Sequence, residues 1–216
     1  MRRFLAILAG LSVAGPALAD SDVEHARYRV VSSAGDVEIR DYAPQIVAET
    51  TVAGERDAAI NEGFRRLAGY IFGDNAPKQK IAMTAPVAQE PAGEKVAGEK
   101  IAMTAPVGQT REGGQWKVRF TMPAEHSMAS LPRPNNASVT LAKTPAKRMA
   151  AIRFSGVADD ADLAANEVKL RAHLKAQGLA AKGAAQYAFY DPPWTLPWNR
   201  RNEVMVEVSS ETTHRP

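Results

Sequence analysis

One octapeptide occurs twice without a change, as Lys80-Ile81-Ala82-Met83-Thr84-Ala85-Pro86-Val87 and again as Lys100-Ile101-Ala102-Met103-Thr104-Ala105-Pro106-Val107. Residues 88–99 between the copies are rich in Gly, Pro, Ala, Glu and Lys, which is loop composition. The pattern predicts two short strands joined by an exposed loop. Pro86 and Pro106 cannot donate to a ladder, so they belong at strand ends, edges or bulges. Two copies fall short of the three units that a solenoid needs, and the duplication is therefore local to one domain. Met83 and Met103 have two readings: flexible fillers of a core, or the lining of a ligand pocket.

The rest of the chain alternates strand and helix signals. Val37 and Ile39 alternate with Glu38 and Arg40 at a period of two. Gln45 to Ala53 is rich in Val, Ile and Thr, and the Tyr42-Ala43-Pro44 turn predicts that these two strands form a hairpin. Ile60, Phe64, Leu67 and Ile71 then recur at i, i+4, i+7 and i+11, one face of a helix running from about Glu55 to Tyr70. Past the duplicated segment, Trp116, Val118, Phe120 and Met122 alternate with Gln115, Lys117, Arg119 and Thr121. Further strands are predicted over 138–142 and 148–155, joined around Pro145. Asp159, Asp160 and Asp162 open a second helix carrying Leu163, Leu170 and Leu174, with Gly178 placed to end it. Strands at 187–190 and 201–208 flank a loop rich in Pro and Trp. The order strand, strand, helix, strand, strand thus appears twice, an α+β pattern.

Both ends are read as lying outside this unit. Arg2 and Arg3 precede an apolar run, and Ala17-Leu18-Ala19 offers the small residues of a cleavage site, so residues 1–19 read as a secretory signal peptide. The expected location is periplasmic or secreted. An uncleaved anchor is the alternative; no later stretch approaches the roughly 20 apolar residues of a bilayer span, so no stable membrane insertion is expected after cleavage. Residues 20–35 read as a flexible start, 36–210 as one domain, and 211–216 as a disordered tail. Without the leader's two arginines the 27 basic side chains fall to 25, against 24 acidic ones. With the charges interspersed, nucleic acid is not an expected partner. The sequence holds no cysteine, which rules out disulfides, thiol catalysis and covalent c-type haem attachment. No nucleophile elbow, zinc-protease helix, phosphate loop or dinucleotide fingerprint is present. The chain therefore reads as a binder before an enzyme, with no catalytic residue assigned.

Three segments together resemble the SOUL haem-binding family: Val37-Glu38-Ile39-Arg40-Asp41-Tyr42-Ala43-Pro44, the duplicated octapeptide, and Tyr190-Asp191-Pro192-Pro193-Trp194 with Arg200-Arg201-Asn202-Glu203-Val204. They occur in the family's order, and the doubled Met-Thr-Ala-Pro-Val looks like its bacterial members. The resemblance implies a distorted antiparallel β-barrel of about eight strands with two flanking α-helices. It also implies a non-covalent, b-type haem or other tetrapyrrole in a groove between the first helix and the loop before the last strand. Ile60, Phe64, Leu67 and Ile71 would meet the macrocycle from the helix and Trp194 and Trp198 from the loop. Arg65, Arg66, Arg200 or Arg201 would meet the propionates. Core packing is the plainer reading of Phe64 and Leu67, and a structural ion pair that of Arg201. No histidine falls inside the three segments. His126 in a loop and His173 on the flank of the second helix are the candidates for iron, while His25 and His214 read as solvated bystanders. Haem carriage, buffering or supply is the implied role. An enzyme that removes iron or transforms the porphyrin, and a general small-molecule or partner-binding module, are the alternatives. Oligomeric state is not legible.

Overall fold

The computed structural model describes residues 24–76 and 98–209. The expected leader, the first octapeptide copy and the expected tail from 211 lie outside the described residues. In chain order the elements are β1 (Glu24–His25), β2 (Tyr28–Ala34), β3 (Val37–Tyr42), β4 (Gln45–Val52), α1 (Arg56–Ile71), β5 (Asn75–Ala76), β6 (Thr104–Ala105), β7 (Val107–Glu112) and β8 (Gln115–Thr121). There follow β9 (Arg133–Pro134), β10 (Thr140–Thr144), β11 (Lys147–Phe154), α2 (Asp160–Ala176), β12 (Ala181–Phe189), a 3₁₀ turn at Pro197–Asn199 and β13 (Asn202–Val208).

Nine strands form one antiparallel sheet in the order β10-β4-β8-β7-β12-β13-β11-β3-β2. The α+β class with two helices follows from the sequence; closure does not. Strand β10 stands at one edge and β2 at the other, with no ladder between them, so the sheet is open where a barrel was expected. The repeated order is present as β3-β4-α1-β7-β8 and β10-β11-α2-β12-β13. Its two halves exchange their first strands: β3 pairs with β11 of the second unit, and β10 pairs with β4 of the first. The hairpin expected across Tyr42-Ala43-Pro44 is accordingly absent. Residues 43–44 and 145–146 are two-residue crossings from one half to the other, and each contains a proline that cannot join a ladder. The start, expected to be flexible, runs as strand β2 from Tyr28. Its side chains are mostly exposed and carry no period, but its backbone pairs with β3, with a bulge between Val30 and Ser32.

One face of the sheet is covered by both helices. Helix α1 buries Ala59, Gly63, Leu67, Tyr70 and Ile71 against a cluster that includes Ala48, Val118 and Phe120. Gly63 is required by proximity: a Cβ there would lie 2.5 Å from a Val118 methyl. Helix α2 begins at Asp159, whose carboxylate accepts from the Asp162 amide at 2.8 Å, a cap of the expected kind. It buries Leu163, Leu170 and Leu174 on Val37, Ile39, Ala150, Ile152, Val204 and Val206. Because side chains alternate along a strand, every apolar residue given to the helices sends its neighbour to the opposite face.

Candidate functional site

That opposite face is concave, one cavity taking its wall from β3, β4, β7, β8, β11, β12 and β13, and it is polar in a way the helix face is not. Arg40, Glu203 and Met205 are there because Ile39, Val204 and Val206 point at α2. Lys117, Arg119 and Thr121 are there because Val118 and Phe120 point at α1.

At its centre is a buried ion pair. Glu203, 0% exposed, accepts from two nitrogens of Arg40 at 2.6 and 2.9 Å, a forked geometry that carboxylate and guanidinium share. Arg201 donates to the same carboxylate at 2.8 Å, and the Tyr190 hydroxyl donates at 2.8 Å. The Arg40 guanidinium stacks on Tyr28 and that of Arg201 on Tyr190, at 4.4 and 4.0 Å from the ring centroids. Burial alone would raise the Glu203 carboxyl, but the hydrogen bonds and charges of Arg40 and Arg201 outweigh it and hold it below the ordinary carboxylate range. Burial pushes Tyr42 up to about 12 and raises Tyr190 further. The first and third of the family-like segments therefore meet in one satisfied network. A second group, Glu49 with Arg119 at 2.8 Å and Lys117 with Glu112, lies across the same face.

One cavity opens on this side, and a second adjoins it at the end of the sheet. The inner one, about 120 Å³, lies between the crossings, with Tyr42, Val47, Pro106, Arg119, Met149 and Met205 in its wall. The outer one, about 480 Å³, has His25, Arg27, Ile46, Met122, His126 and Lys143 in its wall, and Ala26, Ala43, Gln45 and Thr121 belong to both. The larger volume falls in the range of about 300–1,000 Å³ typical of small-molecule sites. A third cavity of about 220 Å³ lies between the helix N-termini, at Arg56, Arg111, Trp116 and Asp160.

The second octapeptide copy builds one wall. The Ile101 amide donates to the Ile71 carbonyl at 2.8 Å and its side chain enters the core under α1, with Met103 packed beside it. Met103 is thus a core filler. Thr104 and Ala105 then pair in parallel with Glu24 and His25. Thr104 and Pro106, not the methionine, reach the cavities.

The residues expected from the family resemblance are spread over other surroundings. Leu67 and Ile71 are core, Ile60 is half-buried, and Phe64, 39% exposed, rests edge-on against Phe120. Arg65 and Arg66 both pair with Glu62 on their own helix. Trp194 and Trp198 are exposed, and Arg200 donates to the Thr195 and Pro193 carbonyls, fastening that loop. Arg201 serves the buried ion pair. None of these ten residues lines the three cavities. His126 lines the outer cavity, whereas His173 is half-buried in the last turn of α2, on the covered face. His25, expected to be a solvated bystander, is half-buried in β1 with its ring 5.6 Å from that of Tyr190, and sequence reasoning passed over Arg40, Gln45 and Glu203. Arg40 and Glu203 stand inside quoted segments, in strands whose charged positions would ordinarily face water.

The sequence model of the SOUL heme-binding protein family matches residues 23–95 and 91–207. The chain belongs to that family. Among curated proteins, Heme-binding protein 2 of Mus musculus and of Homo sapiens are each 46% identical over 54 residues, 24% of this chain and 26% of theirs. The chain is thus matched to about a quarter of those relatives' length. Among solved structures, the C-terminal domain of EcmrR has a TM-score of 0.56 at 9% identity, covering 84% of this chain and 98% of that one. A hydrolase from Listeria innocua has a TM-score of 0.56 at 10% identity, covering 83% and 94%. Those likenesses establish a shared fold.

Proposed function

We propose that this protein binds haem or a related tetrapyrrole non-covalently and serves in its carriage, buffering or supply outside the cytoplasm. The observation that carries this reading is the haem-binding family's match across nearly all of the described residues. The absence of cysteine from the sequence makes thioether attachment impossible and leaves a dissociable, b-type mode. When bound, haem supplies an iron centre, a flat apolar macrocycle and two carboxylates. The wall of the outer cavity carries two imidazoles and the cations Arg27 and Lys143, while its Ile46 and Met122 pack into the core beneath α1. The outer edge of α1 is the second candidate surface, with Ile60, Phe64, Arg65 and Arg66, as is the loop carrying Trp194, Trp198 and Arg200. Export follows from the leader-like residues 1–19, and among the described residues no helix is long and apolar enough to cross a membrane.

The test is a titration of the purified protein with ferric haem, followed by absorbance. A saturable one-to-one change at micromolar concentration or below is expected. A non-saturating change that matches haem partitioning onto an unrelated protein would overturn the reading. N-terminal sequencing of the protein recovered from the periplasm should begin at Asp20, and recovery of intact Met1 from the cytoplasm would contradict export.

A further inference from the structure

We infer that the inner cavity is a binding site in its own right, for a small monocarboxylic acid whose carboxylate meets Arg119 and whose apolar body, about one ring in size, lies against Met149 and Met205. The site is separate from the tetrapyrrole reading, and neither depends on the other.

The cavity has room because the middle of the sheet carries little there. Gly108 pairs with Ala188 across β7 and β12, and with Arg119 across β7 and β8, and all three line the cavity. Glycine inside a strand weakens it and often marks the close approach of a ligand. Unlike Gly63, Gly108 is not demanded by the protein's own packing: a Cβ there would lie 3.8 Å from that of Arg119, an ordinary contact. Nor is its backbone left-handed. What the glycine leaves is space in front of Arg119. The wall from β11 and β13 is apolar, with Met149 and Met205 buried in it, and methionine's flexible thioether adapts to an apolar guest. The facing wall from β4 and β8 brings Gln45 and Arg119, and Gln186 and Lys147 complete the polar set.

The chemistry of the wall selects the ligand class. Arg119 donates its Nε to Glu49 at 2.8 Å, and its two terminal nitrogens have no partner among the described residues. Glu49 has a second cation, Lys117, at 4.0 Å, so Arg119 is not its sole counter-charge. The side-chain amides of Gln45 and Gln186 likewise make no hydrogen bond among the described residues. No aspartate or glutamate lines the cavity, so a cationic guest would face Arg119 and Lys147 without compensation. A wholly apolar guest would strip water from the guanidinium and the amides and give them nothing in return. A carboxylate accepts from Arg119 with charge-assisted strength, and an apolar body behind it covers the methionines. Size limits that body: about 120 Å³ is close to the roughly 150 Å³ that admits benzene, and below the usual range for larger ligands.

Benzoate is the probe, with benzamide and benzylamine as its neutral and cationic counterparts, and amide NMR is the readout. Benzoate should give saturable shifts centred on Gly108, Gln186 and Ala188. Benzamide should bind more weakly by roughly 10-fold or more, the difference between a charge-assisted and a neutral hydrogen bond, and benzylamine should give no saturable shift. Arg119→Gln should erase the preference for benzoate over benzamide. Gly108→Leu should fill the cavity and abolish binding of both, with the circular dichroism unchanged. Benzamide or benzylamine binding as tightly as benzoate would overturn the carboxylate class, as would an Arg119→Gln protein that keeps the preference. The site itself would be overturned by a Gly108→Leu protein that binds normally. It would also be overturned if neither benzoate nor the linear acid hexanoate gave saturable shifts up to about 10 mM.

Discussion

The two faces of the sheet are made by the same strands yet are held by opposite means. The helix face is a conventional core: Leu67, Ile71, Phe120, Leu163, Leu170 and Val204 are almost wholly inaccessible and apolar. The concave face buries Arg40 and Glu203 as deeply, but satisfies them with forked hydrogen bonds, two tyrosines and a second arginine. An apolar face tolerates only shape, whereas a polar buried face can also discriminate ligands and partners by charge. The inner cavity opens on the polar side.

The sharpest way to break this contrast is to cut the central pair. Glu203→Ala leaves Arg40 and Arg201 buried without their carboxylate and should cost about 3–5 kcal/mol, read as a lowered midpoint in urea. Leu67→Ala on the helix face should cost about 2–5 kcal/mol by opening a cavity, with haem affinity retained. Gly63→Ala places a methyl where Val118 already sits. Despite alanine's better helix propensity it should destabilise by about 1–3 kcal/mol, and a variant as stable as the parent would show that α1 packs less closely on β8. Trp194→Ala, on an exposed side chain, should change stability by no more than about 0.5 kcal/mol.

The pair also sets a pH dependence. Glu203 is held below its unfolded-state value, so the unfolded chain takes up protons first as acid is added. The stability contributed by the pair is complete above the ordinary glutamate range, near pH 4–5, and is lost as pH falls through the lowered native value. Urea midpoints measured from pH 7 to pH 3 should fall for the parent. They should fall less for Glu203→Gln, which has no such carboxyl to protonate, and equal slopes would contradict the role given to Glu203.

Both helices and strand β8 were legible because one side of each is apolar at its own period. Leu67 and Ile71 repeat at helical spacing, while Trp116, Val118 and Phe120 alternate. The exchange of β3 and β10 was not, because Tyr42-Ala43-Pro44 has the composition of a tight turn, and sequence cannot say whether a two-residue link folds back or crosses over. The concave site was hidden by the same alternation rule that revealed the strands. Arg40 and Glu203 occupy positions that a one-sided sheet would give to water, yet both are buried here. His25 was illegible for another reason: its two-residue strand has no pattern, and its place is set by Thr104 and Ala105, some eighty residues later in the chain.

Backbone amide NMR shifts on adding a diamagnetic porphyrin, zinc protoporphyrin, test most directly which face the ligand uses. Saturable shifts centred on Gln45, Thr121, Ala124 and Thr104 are expected, with Gly63, Leu67 and Leu170, packed between the helices and the sheet, unmoved. Shifts centred on α1 and residues 194–200 would contradict the concave site.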